Sequence, residues 1–244
     1  MRYTAVRRAY FLRRLNRFVA AIDLDGRETL AHVPNTGRCR ELLVPGAEVA
    51  VQCSSDPRRR TAYTLIAVWK TTPGGPLLIN LDSQAPNRVT EEALLAGWPP
   101  PGREQPARLV RREVVCGDSR FDFYLEGPGY RGYLEVKGVT LEEDGEVAFP
   151  DAPTLRGVRH LRELGELARR GWYAGVLFVV QMERADRFYP NRRTHPAFAE
   201  ALYTAQAEGV AVCARLCRVT EDSLLLDREI PVFLSEQAKG EMWR

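Results

Sequence analysis

Apolar and polar residues alternate in short runs along the first third of the chain, and turn residues such as Asp25-Gly26 and Pro45-Gly46 separate these runs. Alternation with a period of two predicts β-strands that have one buried face. Strands are predicted at residues 18–24, 29–33, 47–53, 61–70 and 77–81, with a single helical turn at 40–44. Short strands with a brief helical insert are typical of an OB-like barrel, an all-β fold that binds oligonucleotides or oligosaccharides. We therefore predict such a barrel for residues 1–82.

The pattern changes in the second part of the chain. A helix at residues 89–97, capped by Asn87, is followed by a proline-rich stretch at 99–107. Strands are predicted at 110–115, 119–125, 133–141, 147–150, 172–180 and 210–219, and helices at 154–170 and 196–208. The almost continuous apolar run at 172–180 is expected of a strand buried on both faces. Antiparallel strands followed by a β-α-β-α-β order predict an α/β domain, a mixed sheet flanked by helices, over residues 83–244.

Composition and charge are those of an ordinary globular protein. The chain is 45% hydrophobic and 27% charged, and its net charge of +3 neither requires nor excludes a nucleic-acid partner. Residues 1–18 are rich in arginine like a transit peptide, but they run directly into a strand and offer no small-residue cleavage site. A basic strand edge or arm is therefore expected there. No apolar run approaches the ~20 residues of a membrane span, so we expect a cytoplasmic protein without membrane association.

The cysteines indicate a reducing environment. Their number, five, is odd, and they show no pairing pattern, which is typical of an intracellular protein. Cys213 and Cys217 have the one suggestive spacing, but the three histidines form no cluster that would complete a zinc site with them. Neither disulfides nor zinc are expected.

Three charged residues, Asp122, Glu135 and Lys137, interrupt an otherwise apolar strand pair. A turn centred on Pro128-Gly129 would place Asp122 opposite Glu135 and Arg120 opposite Lys137, with all four side chains on one face. A slip of one residue would set apolar against charged positions throughout. The same register pairs apolar residues on the other, buried face, namely Phe121 with Val136 and Phe123 with Leu134.

This predicted cluster can be interpreted in two ways. Two carboxylates that lie close together raise each other's proton affinity unless a cation binds between them, and their oxygens suit Mg²⁺ or Mn²⁺, ions that act on substrate phosphates. Lys137 could then orient or deprotonate an attacking water; an arginine could not, and lysine is rare here, at positions 70, 137 and 239 alone. The other interpretation is a set of cross-strand salt bridges on a solvated face, and the pattern leaves both open.

The spacing of these charged residues resembles the PD-(D/E)XK nuclease signature, in which an acid on one strand and Glu-X-Lys on the next hold a metal ion. Here Asp122 is followed, after twelve residues, by Glu135-Val136-Lys137. On a larger scale the chain resembles the sugar fermentation stimulation protein A family from Asn16 to about Val219. The likeness is carried by residues 32–37, 56–60, 63–64, 86–87, 119–123, 135–141, 149–157, 160–161 and 178–181.

The resemblance implies an N-terminal OB-like domain, a C-terminal PD-(D/E)XK nuclease-like domain and DNA binding. It implies that Asp122, Glu135 and Lys137 are catalytic, with Asp122 and Glu135 as ligands of Mg²⁺ or Mn²⁺. The family name also records a regulatory role in sugar, particularly maltose, metabolism.

Several further residues are candidates for contacts with nucleic acid. Arg156 and His160 lie four apart on one face of a predicted helix, where they would clamp a phosphate or serve as a surface charge and a core histidine. Gln181 ends an apolar strand and could reach the same site. The basic turn at residues 58–60, between two strands of the barrel, could follow a phosphate backbone or simply be solvated. The full set is Arg58, Arg59, Arg60, Arg120, Arg156, His160 and Gln181. Glu113 is either an additional metal ligand or, more in keeping with its position, a surface acid.

The leading hypothesis is a cytoplasmic, Mg²⁺-dependent, nuclease-like DNA-binding protein that hydrolyses phosphodiester bonds. The alternatives are a non-catalytic DNA-binding regulator of sugar (maltose) metabolism genes and a barrel that binds oligosaccharides. A helix-turn-helix regulator would need a recognition helix just after Gly209, where the composition predicts a strand. The sequence leaves open whether the nucleic acid is DNA or RNA and whether it is single- or double-stranded. It also leaves open whether the protein forms a homodimer.

Overall fold

The N-terminal part of the chain is a closed barrel. The computed structural model describes residues 1–35, 37, 39–56 and 58–234; Thr36, Pro57, Lys239 and the end of the predicted second domain lie outside the described residues. Its first strands are β1 (Val6–Arg14), β2 (Val19–Leu24), β3 (Arg27–His32), β4 (Glu48–Cys53), β5 (Tyr63–Thr72) and β6 (Gly75–Asn80). They lie in the order β3-β2-β1-β4-β5-β6, and β3 also pairs with β5 in parallel. That last pairing closes β1 to β5 into a ring, which confirms the OB-like prediction.

The basic N-terminal segment is a central strand of this barrel. β1 pairs with β2 on one side and β4 on the other, so the prediction of a strand edge or arm is wrong. Ala9 and Phe11 are buried inside the barrel, whereas Arg8 and Arg13 point outward and pair with Glu48 and Glu28. The outward-facing arginines give the segment its positive charge, while Ala9 and Phe11 on the inward face contribute to the core.

The second domain is a mixed six-stranded sheet between helices. Its elements are α1 (Ala85–Leu95), β7 (Leu109–Cys116), β8 (Ser119–Gly127), β9 (Tyr130–Val139), β10 (Leu141–Glu143), β11 (Glu146–Phe149), α2 (Leu155–Arg169), β12 (Tyr173–Val180), β13 (Arg187–Pro190), α3 (Pro196–Ala207), β14 (Ala211–Val219) and β15 (Leu224–Ile230). The sheet order is β15-β14-β12-β9-β8-β7, and β12 runs parallel to both neighbours. All eight residues of β12 are buried, as its continuous apolar sequence predicts. The predicted fold class is confirmed.

Helices cover both faces of this sheet. Val176 and Phe178 of β12 belong to the core formed with α2 and α3, and Leu177 and Val179 belong to the core formed with α1. Since the side chains of a strand alternate between faces, the central strand contributes to both cores at once. A smaller sheet has the order β10-β11-β13. Its strand β11 was predicted at residues 147–150, whereas β10, β13 and the edge strand β15 were not, because their short or charged sequences give little alternation.

Helix ends explain two differences from the sequence predictions. Helix α1 begins at Ala85 with Pro86 in its first turn, so Asn87 is not its cap. Helix α2 begins where predicted, since the Thr154 hydroxyl caps it by accepting the Gly157 N–H at 3.0 Å. The segment after α3 is strand β14, so the part of the chain that the structure describes has no recognition helix there.

Polar contacts join the two domains. The Asn80 N–H donates to the Gln181 carbonyl at 2.9 Å, and the Lys70 ammonium lies 2.6 Å from the Glu142 carboxylate, which is almost fully buried. At the chain start, the Met1 amino group binds the Leu224 carbonyl at 2.8 Å. Among the helices described above, none has the length and apolar character that crossing a membrane requires.

Candidate active site

The candidate site lies where strands β8 and β9 separate. Their ladder follows the predicted register from Gly127–Tyr130 as far as Phe123–Leu134 and then ends. Beyond the end of the ladder, the Val136 N–H donates a hydrogen bond of 2.7 Å to Oδ2 of Asp122. A side-chain carboxylate therefore takes the place of a backbone carbonyl as the acceptor. The other oxygen, Oδ1, accepts from the Asn87 amide at 2.8 Å. Asp122 is therefore fixed at the point of separation, and Asp122–Glu135 is not one of the ladder pairs.

The separation changes the position of Phe121. Its ring lies 5.3 Å from that of Tyr133 and 5.6 Å from that of His160, in the core under α2. Phe123 belongs instead to the core on the α1 side, together with Leu134. The prediction that Phe121 and Phe123 share one buried face is wrong, because the strand is distorted between them. On β7, Glu113 lies between the pairs that flank Asp122 and has a φ of +55°, a strained value for this residue.

Glu135 is the centre of a buried network. Its Oε1 lies 2.5 Å from Lys137 Nζ on the same strand and 2.6 Å from His160 Nδ1 on α2. Arg156, one turn before His160, donates from Nε to His160 Nε2 at 3.3 Å. Glu135 and His160 are 3% and 1% exposed, so this network holds a carboxylate inside the protein. Strand alternation brings Glu135 and Lys137 together, and the packing of α2 on β9 adds the histidine.

The hydrogen bonds determine which His160 nitrogen carries a proton. An ionised carboxylate only accepts hydrogen bonds, so Nδ1 must donate to Glu135. Arg156 only donates, so Nε2 must accept. The arrangement therefore assigns the neutral Nδ1–H tautomer to His160, which orients Glu135 without adding a second positive charge.

The two carboxyl groups have opposite pKa shifts. Burial, together with the negative charge of Glu135, raises the pKa of Asp122 to about 6. Burial also opposes ionisation of Glu135, but the Lys137 ammonium and the His160 hydrogen bond outweigh it and hold the pKa of Glu135 below its usual range. The positive charge around Asp122 is thus too weak to offset the cost of ionising it next to Glu135, which is itself ionised.

This arrangement fits a hard divalent cation. The Oε2 oxygen of Glu135 is buried and has no hydrogen-bond partner, although buried carboxylate oxygens are normally satisfied. A cation between Glu135 and Asp122 would use that oxygen and relieve the unfavourable ionisation of Asp122. Among the described residues, no group of three His, Cys, Asp or Glu side chains is arranged around a metal position. Two protein carboxylates with waters and a substrate phosphate are typical ligands of Mg²⁺.

Four of the five arginines predicted to contact nucleic acid lie apart from this network. Arg58 is exposed on the β4–β5 loop and pairs with Asp56, while Arg59 donates to the Thr64 hydroxyl at 2.9 Å. Arg60 is exposed on the same loop. Arg120 pairs with Glu113 at 2.9 Å on the protein surface, which makes Glu113 a surface acid and not a member of the site. Of the predicted contacts, only Arg156 and His160 belong to the network.

Gln181 has a different environment from the one expected. Its side-chain Nε2 donates to Asn80 O, Asn80 Oδ1 and Asp82 O at 3.0 to 3.1 Å, and the residue is 2% exposed. Its amide nitrogen is therefore used in the domain contact and is not free for a ligand. Asn87, by contrast, donates to Asp122, although the sequence suggested for it only a helix cap and a place in the family resemblance. Neither of these signals indicates that its partner is Asp122.

These features define a class: a two-domain protein with an N-terminal OB domain and a C-terminal mixed sheet that carries an acid–acid–lysine site. Residues 12–79 match the family described as the SfsA N-terminal OB domain, and residues 84–223 match the Sugar fermentation stimulation protein RE domain. The chain belongs to the sugar fermentation stimulation protein (SfsA) family, which confirms the resemblance found in the sequence.

Relatives from several organisms support this membership. A sugar fermentation stimulation protein homolog of Desulfitobacterium hafniense is 48% identical over 92% of this chain and 94% of its own length. A homolog of Clostridium perfringens is 47% identical over 96% of this chain and all of its own. The solved structure of Pyrococcus furiosus SfsA in complex with Ca²⁺ matches with a TM-score of 0.80 and 27% identity, covering 96% of this chain and 98% of that one.

Proposed function

We propose that this protein is a nuclease-like DNA-binding protein that hydrolyses phosphodiester bonds with the help of Mg²⁺ or Mn²⁺. The observation that carries the proposal is the buried, unpartnered Oε2 of Glu135 next to the Asp122 carboxylate, whose pKa is raised to about 6. Both features fit a site that is completed by a divalent cation. The Ca²⁺ in the solved P. furiosus relative supports a hard, oxygen-seeking ion in this family.

Each residue of the network would have a separate role in hydrolysis. Asp122 and Glu135 would hold the ion, which when bound would supply Lewis-acid polarisation of the phosphodiester. Lys137 Nζ, held 2.5 Å from Glu135 Oε1, would orient the attacking water and offset the negative charge that develops on the phosphate. His160 would keep Glu135 in its metal-binding orientation.

Exposed positive charge supports a nucleic-acid substrate. The exposed Arg58, Arg59 and Arg60 lie on the β4–β5 loop, one of the loops through which OB folds contact oligonucleotides. The barrel would bind the polynucleotide and the mixed sheet would cut it. All five cysteines lie in the described part of the chain and are free, which fits the cytoplasmic location expected from the sequence.

A cleavage screen tests the proposal. Purified protein with Mg²⁺ or Mn²⁺ is incubated with single- and double-stranded DNA and RNA, and Lys137→Ala is the matched control. We expect cleavage that depends on the metal and is lost in the variant. If the wild type leaves every substrate intact, the hydrolytic function is rejected; selection of one discrete operator from random DNA, without cleavage, would then support the regulator. Calorimetry with Mn²⁺ that finds no difference between wild type and Asp122→Asn would reject the metal site.

A further inference from the structure

An open, positively charged groove lies at the end of the barrel where β1 turns into β2. Its volume is about 770 Å³, within the ~300–1,000 Å³ range of ligand clefts. One wall belongs to the barrel and the other includes Ala152 of the second domain. The described lining residues include no acid, and four of them are arginines, namely Arg13, Arg14, Arg17 and Arg40.

Two of these arginines are used within the barrel. Arg13 pairs with Glu28 at 2.5 Å. Arg14 donates to the carbonyls of Asn35, Gly37 and Arg17 at 2.6 to 2.9 Å, so it holds the β1–β2 loop against the segment that follows β3. Arg14 therefore gives the groove a fixed shape and a fixed positive charge on its wall.

The other two arginines are available to a ligand. Arg17 and Arg40 are exposed, and neither forms a salt bridge with any residue that the structure describes. They come from different segments, the β1–β2 loop and the turn before β4, so they converge on the groove from two sides. Two unpaired guanidinium groups facing one groove without acids favour a ligand with more than one negative charge.

An exposed aromatic ring lies beside these cations. Phe18 is 49% exposed, and the guanidinium of Arg17 lies 5.8 Å from the centre of its ring. Leu15, on the same loop, is 48% exposed. An aromatic ring next to a basic groove is the combination with which proteins bind single-stranded nucleic acid, because unpaired bases stack on the ring while cations follow the phosphates.

A second, smaller pocket lies beside the groove. Its volume is about 110 Å³, and its lining includes Asn35 and Asp151, which lie one or two positions in the chain from the groove residues Gly37 and Ala152. The lining of this pocket also includes Gly138, the residue after Lys137.

We propose that this groove binds a single-stranded polynucleotide, with Arg17 and Arg40 on its phosphates and Phe18 stacked on one of its bases. The assignment rests on the proposed function and narrows it, because a ring can stack only on a base that is not already stacked in a duplex.

Fluorescence anisotropy tests the groove separately from catalysis. A Lys137→Ala background prevents cleavage, and the probes are a labelled single-stranded DNA, its RNA counterpart and the matching duplex. We expect tighter binding of the single strands. Phe18→Ala should weaken single-strand binding about tenfold and leave duplex binding unchanged. Arg17→Ala and Arg40→Ala should each reduce the slope of log K against log salt by about 0.7.

Arg27→Ala is the matched control, because Arg27 is exposed at the opposite end of the β2–β3 hairpin and should leave every affinity unchanged. Equal or tighter binding of the duplex, or no effect of Phe18→Ala, would overturn the single-strand assignment. Unchanged salt slopes in the Arg17 and Arg40 variants would overturn the groove itself. Failure of the proposed hydrolysis looks different: the wild type would leave all substrates intact while the groove variants still weakened binding.

Discussion

The Nδ1 of His160 lies 2.6 Å from Oε1 of Glu135, and this contact joins helix α2 to strand β9 inside the protein. Because Lys137 approaches the same oxygen from the strand, Oε1 is occupied twice while Oε2 has no hydrogen-bond partner. The helix thus orients the carboxylate so that one oxygen is held and the other is left for a ligand. His160 is a positioning residue in this arrangement, since it acts through Glu135.

His160→Ala should weaken Mn²⁺ binding by about 10- to 100-fold, the usual effect of removing a partner that orients a metal ligand. His160→Asn should recover much of the loss, because its amide nitrogen can donate to Glu135 in place of Nδ1. Calorimetric titration with Mn²⁺ measures the affinity. His32→Ala, on barrel strand β3, is the control and should bind Mn²⁺ like the wild type. Equal losses in His160→Ala and His160→Asn would show that the side chain does not act by orienting Glu135.

Lys137→Arg should keep the positive charge near Glu135 but lower the rate of metal-dependent cleavage by about 10²- to 10⁴-fold. The physical reason is that arginine does not readily give up its proton and its planar group cannot occupy the position of the ammonium. The readout is kcat in the cleavage assay, with Mn²⁺ affinity measured in parallel. If the Lys137→Arg variant cleaves at a rate within tenfold of the wild type, the role of Lys137 is only to neutralise negative charge.

Asp122→Asn should stabilise the metal-free protein at neutral pH. The pKa of Asp122 is raised in the fold to about 6, above the ordinary 3.8, so the folded state binds this proton more tightly than the unfolded chain. The stabilisation that protonated Asp122 gives the wild-type fold is therefore fully present below about pH 4, and it is lost as the pH rises to about 6. At pH 7 the variant should gain about 2–3 kcal/mol in the free energy of unfolding, from ~1.4 kcal/mol per pKa unit.

Urea unfolding in EDTA between pH 4 and 7.5 measures this gain. The difference between variant and wild type should be small at pH 4 and grow through the window that ends near pH 6. Asp118→Asn is the control, because Asp118 is exposed in the β7–β8 turn and should show no such trend. Added Mg²⁺ should stabilise the wild type and leave Asp122→Asn unchanged. A difference that stays constant with pH would mean that Asp122 titrates normally in the fold.

The sequence was sufficient for the features that depend on local pattern. Strand alternation and the Gly-Pro-Gly turn predicted the register of β8 and β9 as far as Phe123–Leu134, and helical spacing from Thr154 onward predicted the start of α2. The continuous apolar run predicted the buried central strand β12. In each case the residues that decide the outcome lie within a few positions of one another, so an unaligned sequence contains the relevant information.

The remaining features depend on contacts between distant segments. Asp122 accepts the Val136 N–H in place of a ladder carbonyl, and this side-chain competition moved Phe121 to the opposite core. The partnership of Glu135 with His160 depends on how α2 packs over β9, which helix periodicity does not specify. The sequence likewise showed Arg17 and Phe18 as part of a basic start, with no sign that Arg40 faces the same groove.

Gln181→Glu should destabilise the whole protein and not act through nucleic acid alone. Its amide nitrogen donates to three oxygens of Asn80 and Asp82 across the domain contact, so a carboxylate there would lose all three hydrogen bonds and face oxygen acceptors in a buried space. Leaving such a charge unpaired costs about 3–5 kcal/mol. Gln84→Glu, the same change at the exposed N-cap of α1, should be neutral or slightly stabilising. Thermal unfolding compares the two variants; a Gln181→Glu protein with wild-type stability but no nucleic-acid binding would instead place Gln181 at the ligand.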